Sequence, residues 1–159
     1  MENWRVAAHL LLTMLPAVTA VAQEPISHPP GQPTGRTRVV LLGTGTPVPD
    51  PDRSGPATAI VVDDSAYLVD FGPGVIRRAE SAALSRRMPA VSPGNLKVAF
   101  VTHLHSDHTA GYSDLIFTGW TSGRKVPLEV YGPSGLQSMT EHISVNNLQS
   151  KTMSLITVE

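Results

Sequence analysis

Three of the six histidines in this 159-residue chain fall inside one short window, Val101, Thr102, His103, Leu104, His105, Ser106, Asp107, His108, Thr109, Ala110, Gly111. Imidazole and carboxylate are the donors that suit zinc and its borderline neighbours, and a catalytic site keeps one coordination position for water. The chain contains no cysteine. A metal here must therefore be held by His, Asp, Glu and water, and zinc-thiolate sites and disulfides are excluded. A pair of ions about 3.5 to 4 Å apart can share a hydroxide and polarise a substrate oxygen, which makes a hydrolase that needs no serine or cysteine nucleophile. A lone histidine would pass for a polar loop residue. His-x-His-x-Asp-His behind an apolar run is far more specific.

That run must be a strand for the chemistry to assemble. Residues two apart on a strand share a face, so His103 and His105 project together while Leu104 turns back to the core. Ser106 is placed to cap a short helix, and the turn brings Asp107 and His108 round to the same cavity. Upstream and downstream, β-rich runs alternate with turn signals: Val39 to Leu42, Thr58 to Val62, Tyr67 to Val69, Val98 to Val101 and Leu128 to Val130. Helices are predicted over Val75 to Ser85, after Gly72, Pro73 and Gly74, and over Leu136 to Ile143, after Gly132 and Pro133. The early part reads as a strand meander and the later part alternates strand with helix, an α/β (α+β) pattern.

The N-terminal end has a different character. Arg5 precedes the apolar stretch Leu10 to Val18, and Ala20, Val21, Ala22 form a small-x-small signature, so residues 1–22 read as a signal peptide cleaved after Ala22. Pro16 breaks the stretch, which is shorter than the roughly 20 residues of a membrane span, so no transmembrane anchor is expected after cleavage. The expected location is periplasmic or secreted. Residues 23–37 carry Pro25, Pro29, Pro30, Gly31, Pro33 and Gly35 and read as a linker, which leaves residues 38–159 as the folded part. The net charge of −1 is unchanged by loss of the leader, which removes Glu2 and Arg5. Such a balance lacks the basic footprint of a protein that tracks a phosphate backbone, so a small anionic ester is the expected substrate and stable nucleic-acid binding is not.

Several segments together resemble one family. The histidine window, Leu42, Gly43, Thr44, Gly45, Thr46, Pro47 with Arg53, Ser54, Gly55, Pro56, then Tyr67 to Gly72 and Leu128 to Pro133, are similar to the metallo-β-lactamase superfamily, in its ribonuclease Z and arylsulfatase-like branch. The resemblance runs from about Arg38 to about Ile143. It implies an αββα sandwich, of which this chain supplies roughly the first half. It also implies two divalent ions, zinc before manganese or iron, with His103 and His105 on one, Asp107 and His108 on the other, and Asp107 in proton transfer. Asp70, at a strand end, would orient a histidine rather than bind metal, or else cap a turn.

The branch completes its sites with a further His, a bridging Asp and a final His. After His142 this chain has no His or Asp, so it reads as an N-terminal fragment. An apolar sheet face would then lie uncovered unless a second chain, such as a homodimer partner, covers it. With export, the resemblance implies hydrolysis of a phosphodiester or aryl sulfate ester rather than tRNA processing. Lactone or β-lactam hydrolysis, or an inactive metal-binding fragment, are the alternatives. Five other features read as ordinary: Thr102 as a strand residue rather than a hydrogen-bond partner of a ligand, Gly43 to Pro47 as a tight turn, Arg53 as a solvated arginine rather than a contact for an anionic substrate, and His28 and His142 as linker and helix-surface residues.

Overall fold

A computed structural model describes residues 36–147 and 156–159. The signal peptide, nearly all of the linker, and His28 lie outside the described residues. Six strands form one sheet in sequence order: β1 (Thr37–Gly43), β2 (Ala57–Val62), β3 (Ser65–Val69), β4 (Val98–Phe100), β5 (Leu128–Tyr131) and β6 (Ile156–Val158). The first three are antiparallel, and β3 through β6 run parallel. Parallel neighbours need crossovers, which are helical here. α1 (Val75–Ser85) and two short 3-10 turns join β3 to β4. α2 (Ser106–Thr109) and α3 (Tyr112–Thr121) join β4 to β5, and α4 (Leu136–Asn147) follows β5.

Each crossover steps the same way along the sheet, and crossovers share one hand, so the helices gather on a single face. Alternation in the strands records this. Val40, Leu42, Ala59, Val61, Leu68, Ala99, Leu128 and Val130 are buried against Val75, Ile76, Ala79, Leu115, Ile116 and Leu136 from the helices. The intervening residues form two rows across the other face, Leu41, Thr58, Val69, Phe100, Tyr131 and Val39, Ile60, Tyr67, Val98, Glu129. Val39 is 65% exposed, Leu41 67% and Phe100 39%. Among the described residues, the apolar face expected from the sequence is therefore present and uncovered.

α3 was not foreseen. No helix among the described residues is long and apolar enough to cross a membrane. The carboxyl ends of β1, β3, β4 and β5 lie at one edge of the sheet, where the loops 44–56, 70–74, 101–111 and 132–135 collect. That is where open α/β sheets place their ligands.

A candidate metal centre at the strand ends

Asp70 organises this edge. It follows β3 with φ of 59°, a left-handed conformation that Asp tolerates better than most residues. Its amide donates to the Phe100 carbonyl at 2.8 Å, which ties it to the end of β4. The carboxylate is buried, 7% exposed, and accepts from the Thr102 amide at 2.8 Å and the Thr102 hydroxyl at 3.0 Å. Its other oxygen lies 2.8 Å from His108 Nδ1. A carboxylate on one imidazole nitrogen fixes the ring's orientation and leaves Nε2 as the donor. That Nε2 lies 3.5 Å from Asp107 Oδ2.

Thr102 is not a strand residue, contrary to the sequence reading. β4 ends at Phe100, and the Thr102 hydroxyl bridges Asp70 to His103 Nδ1, 2.9 Å away. One threonine thus holds the far nitrogen of His103 as Asp70 holds that of His108. Ser106 is not a cap either. His105 occupies the cap position of α2 in an extended conformation, no side chain caps the helix, and Ser106 is its first residue. The His105 carbonyl accepts from the His108 and Thr109 amides and from the Thr109 hydroxyl. The three rings converge: His103 to His105 is 4.6 Å between centroids and His103 to His108 is 4.1 Å.

The loop is pressed onto its floor by backbone contacts. Phe71 N–H donates to the His108 carbonyl and Gly111 N–H to the Phe71 carbonyl, both at 2.9 Å. A Cβ on Gly72 would overlap the Asp107 carbonyl oxygen, and one on Gly111 would overlap the Gly72 carbonyl. Those close approaches require glycine. Beneath them Phe71 and Tyr112 stack at 4.7 Å, and burial raises the Tyr112 phenol above its ordinary value while its hydroxyl pairs with Thr140. Thr46, Pro47, Ser54, Gly55, Ser106 and Asp107 line an open cleft of about 500 Å³. The Gly43 to Pro47 turn is thus at the site's rim, while Arg53 is exposed and pairs with Asp50 at 3.7 Å. His142 lies on the exposed side of α4, with Nδ1 2.7 Å from the Ser138 carbonyl.

The donors suit a divalent metal in kind: imidazoles whose far nitrogens are held by oxygen partners, beside a carboxylate. Among the described residues no group of three or more such donors is arranged around one metal position. A model of the metallo-beta-lactamase superfamily matches residues 50–145, the stretch that contains the whole histidine cluster. The chain belongs to the metallo-beta-lactamase superfamily. Family and fold are therefore as the resemblance implied.

Ribonuclease Z of Mycobacterium bovis (strain BCG / Pasteur 1173P2) is 40% identical over 106 residues, which cover 65% of this chain and 35% of the relative. The chain thus spans about a third of the length of the curated relatives it matches. The crystal structure of human tRNase Z, short form, superposes with a TM-score of 0.61 at 28% identity, covering 76% of this chain and 42% of that one. A Zn(2+)-bound PqqB from Methylobacterium extorquens shares the fold at 15% identity, with a TM-score of 0.53 over 76% of this chain and 48% of its own. These superfamily relatives overturn one expectation. Overall charge argued for a small anionic ester and against nucleic acid, but the relatives bear the names ribonuclease Z and tRNase Z. Net charge averages over a surface and is blind to how a few arginines are grouped.

Proposed function

We propose that this chain carries the His/Asp metal-binding cluster of a ribonuclease Z-like hydrolase that cleaves an RNA phosphodiester. The observation that carries the reading is the Asp70 clamp, which presents His108 beside Asp107 and gathers it with His103 and His105 where a superfamily site is expected. In this reading His103 and His105 hold one divalent ion, Asp107 and His108 a second, and zinc is the native metal. When bound, such ions lower the pKa of water into the neutral range and place positive charge beside the phosphoryl oxygens.

The chain's own residues do the rest. Asp70 and Thr102 hold the far nitrogens of His108 and His103, so that both rings meet the cavity as donors in a fixed orientation. Asp107, beside the cleft and 3.5 Å from His108 Nε2, is positioned to accept a proton from the attacking water and pass it on. Gly72 and Gly111 keep the loop backbone close enough to the floor for this geometry.

The test is cleavage of a tRNA transcript with a 3′ extension by the full chain. Cleavage that is lost with a chelator, restored by zinc and absent in His103→Ala is expected. Cleavage that persists in His103→Ala, or in chelator, would remove the assignment. Export is a separate reading of residues 1–22. Fused to a reporter, that segment should carry it out of the cytoplasm, and a reporter that stays inside rules the leader out.

A further inference from the structure

A second cleft, of about 270 Å³, runs down the edge of the sheet between β1 and α1. It shares Arg53 and Ser54 with the cleft that reaches Asp107, so the two adjoin there. Three arginines line it, Arg53, Arg78 and Arg86, against one acid, Asp52. Arg78 and Ala82 are spaced i, i+4 on α1 and Arg86 is the residue that ends it, so all three line one cleft, with the two arginines anchored about 12 Å apart along the axis. The small Ala82 between them leaves the floor open.

These charges differ in how they are used. Arg53 is partly neutralised by Asp50. Arg78 donates from Nε to the Ser54 hydroxyl and from Nη2 to the Asp52 carbonyl, each at 3.1 Å, which fixes it at the junction of the two clefts without a carboxylate partner. Among the described residues neither Arg78 nor Arg86 enters an ion pair. A guanidinium held through Nε and Nη2 by neutral partners keeps its charge and its remaining Nη N–H groups for an anion, and phosphate is an anion that those donors suit. The arginine cleft adjoins the cleft that Asp107 lines and runs along α1.

We propose that the Arg78–Arg86 cleft is a phosphate-binding track that carries the RNA backbone away from the His/Asp cluster. It rests on the ribonuclease reading above. Among the described residues β1 is an edge strand, and an extended peptide could add to it. The unpaired arginines favour the polyanion.

The experiment is filter binding of the 3′-extended tRNA transcript to the full chain, from about 50 to about 200 mM salt. The slope of log affinity against log salt should fall by about 0.9 for each arginine that meets a duplex phosphate, or about 0.7 for a single strand. Arg86→Gln should show that loss, and Arg78→Gln with Arg86→Gln about twice as much, with affinity weakened severalfold. Arg86→Lys, which keeps the charge, should keep the slope, and so should Lys125→Gln, which lines neither cleft. Arg86 makes no side-chain bond within the described residues, so its variant tests the track without disturbing the loop that Arg78 braces.

An unchanged slope in both glutamine variants, or no RNA binding at all, overturns the proposal. So does displacement of the RNA by an acidic peptide with the same arginine dependence, which would assign the cleft to a protein partner. His103→Ala keeps the two readings separable. A chain that binds RNA with the arginine-dependent slope yet never cleaves it retains the track and loses the ribonuclease. Cleavage with an arginine-independent slope does the reverse.

Discussion

His108 and His105 stand three residues apart and are held in different ways. His108 is half-buried, its Nδ1 fixed 2.8 Å from a buried carboxylate that is itself tied to β4 and to Thr102. His105 is exposed, and its bonds are made by its backbone, which serves the first turn of α2. Its ring meets His103 edge-on. A histidine oriented by a carboxylate is a prepared donor, whereas one supported only through its backbone must be ordered when a ligand arrives, at an entropic cost. One side of the candidate centre is thus preorganised by the described residues more than the other.

Three substitutions probe that difference, in descending order of effect. His108→Ala removes the prepared donor and leaves Asp70 buried without its imidazole. Metal retention and metal-dependent cleavage should both be lost, as read by elemental analysis and by the transcript assay. Asp70→Ala leaves every donor in place but frees the ring. Zinc affinity should drop about 10- to 100-fold in a competition titration with a chromophoric chelator, the usual effect of removing a histidine's orienting partner. Equal affinity in wild type and Asp70→Ala would mean that the clamp is structural only. Thr102→Val removes one hydroxyl shared between Asp70 and His103. At about 1 kcal/mol for the hydroxyl's neutral bond to His103, it should cost roughly fivefold in the same titration. A loss as large as that of Asp70→Ala would place the preorganisation at His103 instead.

Much of the scaffold was legible from alternation. The five expected strands appear within two residues of their predicted ends, and Val75 to Ser85 is helical throughout. These segments carry their reasons locally, in period-2 burial or in helix formers after a Gly-Pro-Gly turn. α3 does not. It contains Gly119 and the β-branched Thr118 and Thr121, with apolar residues on several sides, and this weakens both propensity and pattern. It is closed from outside, by the buried Arg124 donating to the Leu115 and Ile116 carbonyls. A Cβ on Gly119 would run into that guanidinium. The closing contact comes from Arg124, eight and nine positions on, and neither propensity nor period announces it.

The site divides in the same manner. The four motif residues announced themselves by type and spacing, and the pairing of Asp70 with a histidine was anticipated only through resemblance. Thr102 gave no signal that set it apart from any β-branched residue at a strand end, because its role depends on Asp70, thirty-two positions earlier. The arginine cleft was hidden for a related reason. Arg53, Arg78 and Arg86 are scattered through the sequence, their charge cancels in the total, and only the packing of α1 beside β1 brings them together.

Zinc content per chain, measured on the purified full chain and on His103→Ala and His108→Ala prepared identically, reaches the central claim most directly. Zinc that is retained by the wild type and lost from both variants is the expected result. The same zinc content in all three would contradict it, and would leave the histidine cluster without a metal to hold.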